Sequence, residues 1–342
     1  MSQYQKTMDD RSVGAFVTKK DKRNYWTILS ILLILGVSSA FGLLVYNNPV
    51  PVTSPSFIPV VSRRLNAVIA MGVAAACQSL ATVAFQSVTS NRVITPSLLG
   101  FEALYSTIQT STLYFFGIGA LISFSNTSSF IFQVILMVTL SLLLYGTLLS
   151  GKKGNLQLML LIGIIIGTGL RSLSSFMRRL IAPSEFDILQ ARLFGSVNNA
   201  DASYFPIAIP IVLIVVVLLF RHAKKLDVLS LGNDVSTNLG LDYQKGLIYT
   251  LLLVSVLMSS STALVGPMTF FGFLVATFTY QLTSTYDHRY LFLMSLVIGF
   301  VVLTGAYFLM YHVFNAQGVV SVIIELVGGL LFLIMLFRKG SI

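Results

Sequence analysis

The chain has 342 residues, of which 55% are hydrophobic and only 10% charged, with a formal net charge of +10. A soluble domain carries about 25% charged residues. This chain therefore cannot clothe itself in a water-compatible surface, and its basic excess fits membrane-flanking loops better than a nucleic-acid-binding face. A lone cysteine, Cys77, excludes an internal disulfide and a cysteine metal cluster.

Taken in order, the apolar runs predict about ten membrane spans. A polar stretch containing Lys19, Lys20, Lys22 and Arg23 precedes the first run, at 25–46, which is long enough to cross a bilayer and is not read as a cleavable signal. Further runs fall at 64–86, 97–118, 129–149 and 156–178. The polar stretch 179–203 is long enough for a short surface helix, and the sixth run covers 204–220. Residues 221–245 are the most water-like internal segment. The next apolar stretch, 246–283, is too long for one span. Gly266-Pro267 is its natural break, because proline lacks a backbone donor and clashes with the preceding turn. The last two runs are 290–312 and 319–337. The expected architecture is an all-α membrane protein with a tail at 1–24, a membrane body at 25–340 and an internal polar loop at 221–245.

An even number of spans puts both termini on one side. With the N-terminus inside, 16 Lys and Arg face the interior and five the exterior (Arg63, Arg64, Arg178, Arg179, Arg192). That asymmetry predicts cytoplasmic termini.

No phosphate-binding loop of the form GxxxxGK[ST] is present; Gly151-Lys152-Lys153-Gly154 lacks the spacing. If ATP drives this protein, another chain hydrolyses it. His222, His288 and His312 are scattered, two expected in loops and one near a helix end, and no metal site or catalytic triad is expected. Intramembrane charge is the sharper signal. Arg171, Arg178 and Arg179 lie at spacings of seven and eight residues in and beyond the fifth run. A deep arginine faces a cavity or a partner, so this set is either a cationic path for anionic cargo or an Arg171 pair with Glu102 or Glu325 beside headgroup-binding arginines. In the polar loop, Leu231, Val235 and Leu239 recur at i, i+4 and i+8. Asn233 or Asp234 could cap a short helix there, and Gly240 suits its end. Such a helix is an interfacial connector or a surface offered to a cytoplasmic partner.

At Leu229-Ser230-Leu231-Gly232-Asn233-Asp234-Val235, running on to Leu239-Gly240, the loop resembles the LSLGxxxAxxLG signature of FecCD/BtuC-type permeases. Other stretches resemble that family in the same order. They are Gln86 to Gly100, Gly195-Ser196, Val265-Gly266-Pro267 to Phe273, Asp287-His288-Arg289, and Gln317 to Phe332. Departures are clear. The family's RxPR reads Arg64-Leu65-Asn66-Ala67, its NPL turn reads Asn91-Arg92-Val93, its PH pair reads Ala276-Thr277, and Gln317 replaces the glutamate of its ELP motif. The TSNRxxTPSLLG pattern looks most like the branch associated with catecholate-type siderophores such as anguibactin or petrobactin.

The resemblance implies a BtuC-like type II importer permease in a bacterial cytoplasmic membrane. It implies a ferric siderophore as cargo, with haem or cobalamin as the alternative within the fold and an ion-coupled secondary transporter as the alternative outside it. It implies an ABC ATPase dimer carrying ATP and Mg, a second permease (a paralogue or a second copy) and an extracytoplasmic binding protein as partners, with no cofactor on this chain. By position, Leu229, Leu231, Gly232, Asn233, Asp234, Val235, Leu239 and Gly240 would dock the ATPase. Arg171, Arg178 and Arg179 would line the path. Asn91, Val93, Asn155 and Gln157 would form the inner gate, and Arg63 and Arg64 would meet the binding protein.

Overall fold

The computed structural model describes residues 14–46, 50–51, 53–123, 127–149, 156–197, 200–314 and 320–339. These residues are almost wholly helical. The helices are α1 (Lys19–Val45), α2 (Phe57–Val88), α3 (Phe101–Ser123), α4 (Thr127–Leu149), α5 (Leu156–Arg179), α6 (Pro183–Leu193), α7 (Phe205–Leu229), α8 (Asn233–Asn238), α9 (Tyr243–Val265), α10 (Phe271–Leu282), α11 (His288–Phe308) and α12 (Val320–Lys339). Among the described residues, α1, α2, α5, α7, α9 and α11 are long and apolar enough to cross a membrane, and α4, α10 and α12 add shorter apolar segments.

Burial sorts the helices into centre and rim. In α2 and α9, 72% of the most apolar window is buried; in α1 and α7 the share is 22%. The centre is built from small side chains. Ala70, Ala74, Ala75, Ala81 and Ala84 of α2 are buried, as are Ser255, Ser259, Ser260, Ser261 and Thr262 of α9. In lipid, hydrophobicity does not draw helices together, so small residues that let backbones approach decide which faces meet. α9 packs on α2, α4 and α7; α11 packs on α1 and α2; and α3 packs on α5.

Helix ends differ from the apolar runs where local hydrogen bonding overrides hydropathy. α1 begins at Lys19, inside the expected tail 1–24. Thr18 Oγ1 accepts from the Asp21 N–H at 3.1 Å, and the Asp21 carboxylate accepts from the Thr18 N–H at 3.2 Å. This reciprocal cap starts a helix whatever the polarity of its first turn. Ahead of it, Phe16 is buried against Tyr25 and Tyr290. At the other end of α1, the Arg64 guanidinium donates to the carbonyls of Leu43, Leu44 and Tyr46 at 3.1–3.3 Å. The last carbonyls of a helix have no internal partner. Arg64→Ala is therefore expected to lower stability by about 1 kcal/mol, seen as a drop in the detergent-solubilised melting midpoint. An unchanged midpoint would remove the capping role.

Two expected spans change shape. The sixth run continues as helix nine residues past 220, because Arg221, Lys224 and Lys225 are good helix formers that extend α7 beyond its apolar stretch. The eighth is only 12 residues long, too short to cross by itself. Its N-terminus lies inside the protein and is satisfied from outside the helix. Glu102, buried at the start of α3, accepts from the Met268 N–H at 3.2 Å and from the Thr269 hydroxyl. Carboxylates at a helix N-terminus satisfy orphan donors and favour its dipole.

Candidate coupling, gate and translocation sites

The loop between α7 and α9 holds α8. Ser230, Leu231 and Gly232 close the end of α7 with backbone bonds to Leu226, Val228 and Leu229. Gly232 then turns the chain at φ +94°, and Gly240 turns it again at φ +82°. Both lie in the left-handed region that glycine enters at little cost. Gly232 itself stands at the N-cap of α8, which has no side-chain cap. The expected capping by Asn233 or Asp234 is thereby corrected: Asn233 is already the first helical residue, and its Oδ1 accepts from the Thr237 hydroxyl at 3.4 Å. Inward, the Ser236 hydroxyl donates to the Val228 carbonyl at 2.8 Å. Outward, Leu231, Val235 and Leu239 are 58%, 44% and 61% exposed. The structure thus leaves all three apolar side chains open, with Asn233 and Asp234 exposed near them. Leu229 is separate: it is buried and packs on Gly246 of α9, so it belongs to the core and cannot touch a partner.

The turn after α2 lies against the base of this loop. The Asn91 side chain accepts from the Val93 N–H at 2.9 Å, the Gln86 amide donates to the Arg92 carbonyl at 2.7 Å, and the Arg92 guanidinium sits 4.6 Å from the Tyr280 ring centroid. Asn155 lies outside the described residues. Gln157 falls in the first turn of α5, and its side chain is not among those described.

On α5, Arg171 and Arg178 lie on nearly one line, about 20° apart, and Arg179 is about a quarter turn away. The three arginines do not share one environment. Arg178 is half-buried against α3, donating to the Ser106 hydroxyl at 3.4 Å and to the Ser174 carbonyl at 3.3 Å. Arg171 and Arg179 are exposed. Among the described residues, no ion pair within 4.0 Å involves Arg171, and Glu102 spends its carboxylate on α10 instead. Thr168, Arg171, Ser172, Ser175 and Arg179 form an exposed polar strip on a helix whose other exposed residues include Leu161, Ile164, Ile165 and Phe176.

The motifs scattered along the chain meet in pairs. The Ser196 N–H donates to the Val265 carbonyl at 2.8 Å, and Gly195 lies flat against Pro267. Gly100, at φ +104°, touches the backbone of Gly167 in α5. Gly328 packs on Phe270. His288 bonds Asp227, the residue two before the LSLG stretch. Such contacts explain why these short stretches occur together.

The model of the FecCD transport family matches residues 25–338. The chain belongs to the FecCD transport family. As a FecCD permease it is a transporter subunit, not an enzyme. It is 66% identical over 334 residues to the petrobactin import system permease protein FatC of Bacillus anthracis, a match covering 98% of this chain and 94% of that one. It is 39% identical over 279 residues to the petrobactin import system permease protein YclO of Bacillus subtilis, covering 82% and 89%. Its fold matches an inward-facing metal-chelate type ABC transporter with a TM-score of 0.76 at 19% identity, covering 91% of this chain and 99% of that one.

Sequence reasoning missed the environments of four residues of this FecCD permease: Ser87, His222, Asp227 and His288. His222 and His288 are not in loops: both are buried in helices, the first on Thr250 (3.1 Å), the second between Asp227 and Ser87. Nothing local in sequence links Ser87, Asp227 and His288, which lie 61 and 201 positions from one another across the His288 bonds. The DHR turn was the available signal. In it, Asp287 caps α11 and pairs with Arg289, which holds the Asp287 carboxyl below the usual carboxylate range. The middle residue is the one left to face inward.

Proposed function

We propose that this chain is one of two permease subunits of an ATP-driven importer that carries ferric petrobactin, or a closely similar ferric siderophore, across a bacterial cytoplasmic membrane. The observation that carries the reading is the 66% identity over nearly the whole chain to a petrobactin import permease. An ABC ATPase dimer bearing ATP and Mg docks on the exposed Leu231, Val235 and Leu239 face, with Asn233 and Asp234 at its edge. The second permease, a paralogue or a second copy, completes the path, and a binding protein delivers the chelate outside. Both termini face the cytoplasm, as the excess of interior Lys and Arg supports. Arg63, exposed beside the capping Arg64, contributes to binding-protein docking. Asn91 and Val93, with Asn155 and Gln157 opposite, form the inner gate.

The polar strip of α5 supports a role for Arg171 and Arg179 in the path, since an arginine facing apolar lipid would be costly and a positive path attracts an anionic chelate. The test is reconstitution with the ATPase, binding protein and second permease, measuring ATP-dependent uptake of ferric petrobactin against haem and cobalamin. Uptake of ferric petrobactin alone is expected. Arg171→Ala is expected to lower that uptake roughly tenfold, about the 1.4 kcal/mol of one well-placed charge, at unchanged protein amount. Uptake of haem or cobalamin without ferric petrobactin would overturn the cargo. Equal loss of protein and uptake would make Arg171 structural.

A further inference from the structure

We infer that Asp227, His288 and Ser87 form the link through which movement of the ATPase-docking loop reaches the inner gate. The inference rests on the permease reading above and adds a residue-level connection to it. Asp227 sits on the last turns of α7, just before the docking loop. Its Oδ1 accepts from the His288 backbone N–H at 2.9 Å and lies 2.5 Å from His288 Nδ1. An ionised carboxylate only accepts, so Nδ1 carries the proton in this pair. On the other side of the ring, Nε2 lies 2.6 Å from the Ser87 hydroxyl, in the last turn of α2. The His288 side chain is only 4% exposed. One buried imidazole therefore fixes three helices, α7, α11 and α2, at a single point.

Parallel bonds run the same way. The Ser90 hydroxyl donates to the Ser230 carbonyl at 3.3 Å, and the Tyr243 hydroxyl donates to the Val88 carbonyl at 3.3 Å. Both join an end of the docking loop to the turn that leads into Asn91 and Val93. Beside Ser87, Tyr280 lines the same cavity and carries Arg92 on its ring. Ser87, Arg92, Tyr280 and His288 line a cavity of about 750 Å³ that opens beside the turn. A short, oriented bond to a nearly buried imidazole is stiffer than a contact between exposed side chains. A push on the end of α7 is thus passed to α2 rather than absorbed by side-chain flexing.

The test uses the full complex of ATPase, binding protein and both permeases in lipid nanodiscs. Val93→Cys serves as reporter, and Cys77 does not compete because it is fully buried. ATP is expected to change the rate at which a thiol reagent labels position 93. In Asp227→Asn and in Ser87→Ala the ATPase is expected to co-purify and hydrolyse ATP as before, while the ATP-driven change in labelling falls roughly tenfold, within the range of mutational effects on coupling. Ser87→Ala removes one hydroxyl and keeps the test open if Asp227→Asn does not accumulate. A full labelling response in the variants would overturn the link, as would hydrolysis falling in step with labelling, or no ATP-driven labelling change in the wild-type complex. The readout needs no cargo. A complex that labels as expected but does not move ferric petrobactin would remove the cargo reading and leave the link standing.

Discussion

Replacing Leu231 and Leu239 together with aspartate is expected to abolish co-purification of the ATPase while leaving the amount of membrane-inserted chain unchanged. The two halves of this result have separate physical causes. Both leucines are more than half exposed, so charging them costs the isolated fold little. Against a partner, each buried leucine contributes about 2 kcal/mol, and an unpaired carboxylate in that interface adds a desolvation cost of its own. Together the changes exceed about 4 kcal/mol, close to a thousandfold in affinity. The check is the ratio of ATPase to permease after affinity purification from membranes. Wild-type co-purification would remove the docking role from α8. Leu229→Asp is no control for this experiment, because Leu229 is buried against Gly246 and its loss would disturb the fold itself.

Gly195→Ala is expected to do the opposite: it should break the fold without touching the docking surface. A Cβ at Gly195 would stand 2.2 Å from the Pro267 carbonyl oxygen. That neighbour is backbone, held by the Ser196 to Val265 hydrogen bond and by Gly266 at φ +87°. No flexible side-chain end can yield. Overpacking in ordinary cores costs about 1–3 kcal/mol, and the upper end or more is expected here. Gly169→Ala is the matched control, since nothing lies within 4 Å of a Cβ there; alanine should be neutral or up to about 1 kcal/mol stabilising. The measurement is the melting midpoint and monodisperse fraction in detergent. A Gly195→Ala protein as stable as the Gly169→Ala protein would show that the two segments do not rely on this contact.

The contrast between these two sites shows what could be read in one dimension. The exposed apolar set proposed for docking was legible because Leu231, Val235 and Leu239 repeat within nine residues and glycines stand at 232 and 240. The break at Gly266-Pro267 was legible because proline acts on its own turn. The Gly195 contact was legible only as two short motifs 71 positions apart, with no indication that they touch. Arg64 was read as part of an outer docking patch; its carbonyl partners, 18 to 21 positions away on another helix, are a matter of packing. The early start of α1 was in the sequence as Thr18 and Asp21, but a hydropathy count weighs only transfer to lipid and is blind to a polar cap.

By itself the sequence determined that this is a helical membrane protein, roughly where its helices run, and, through the order of its motifs, which family it belongs to. Those are properties of transfer free energy and local backbone chemistry, and both act over tens of residues at most. Only the tertiary structure decided which helices are central, that α10 starts inside the protein against the Glu102 carboxylate, that Leu229 is core, that Arg171 and Glu102 form no ion pair within 4.0 Å, and that His288 joins α7 to α2. Each of these depends on which small-residue faces meet and on where buried donors and acceptors find one another, and such partners sit far apart in the chain.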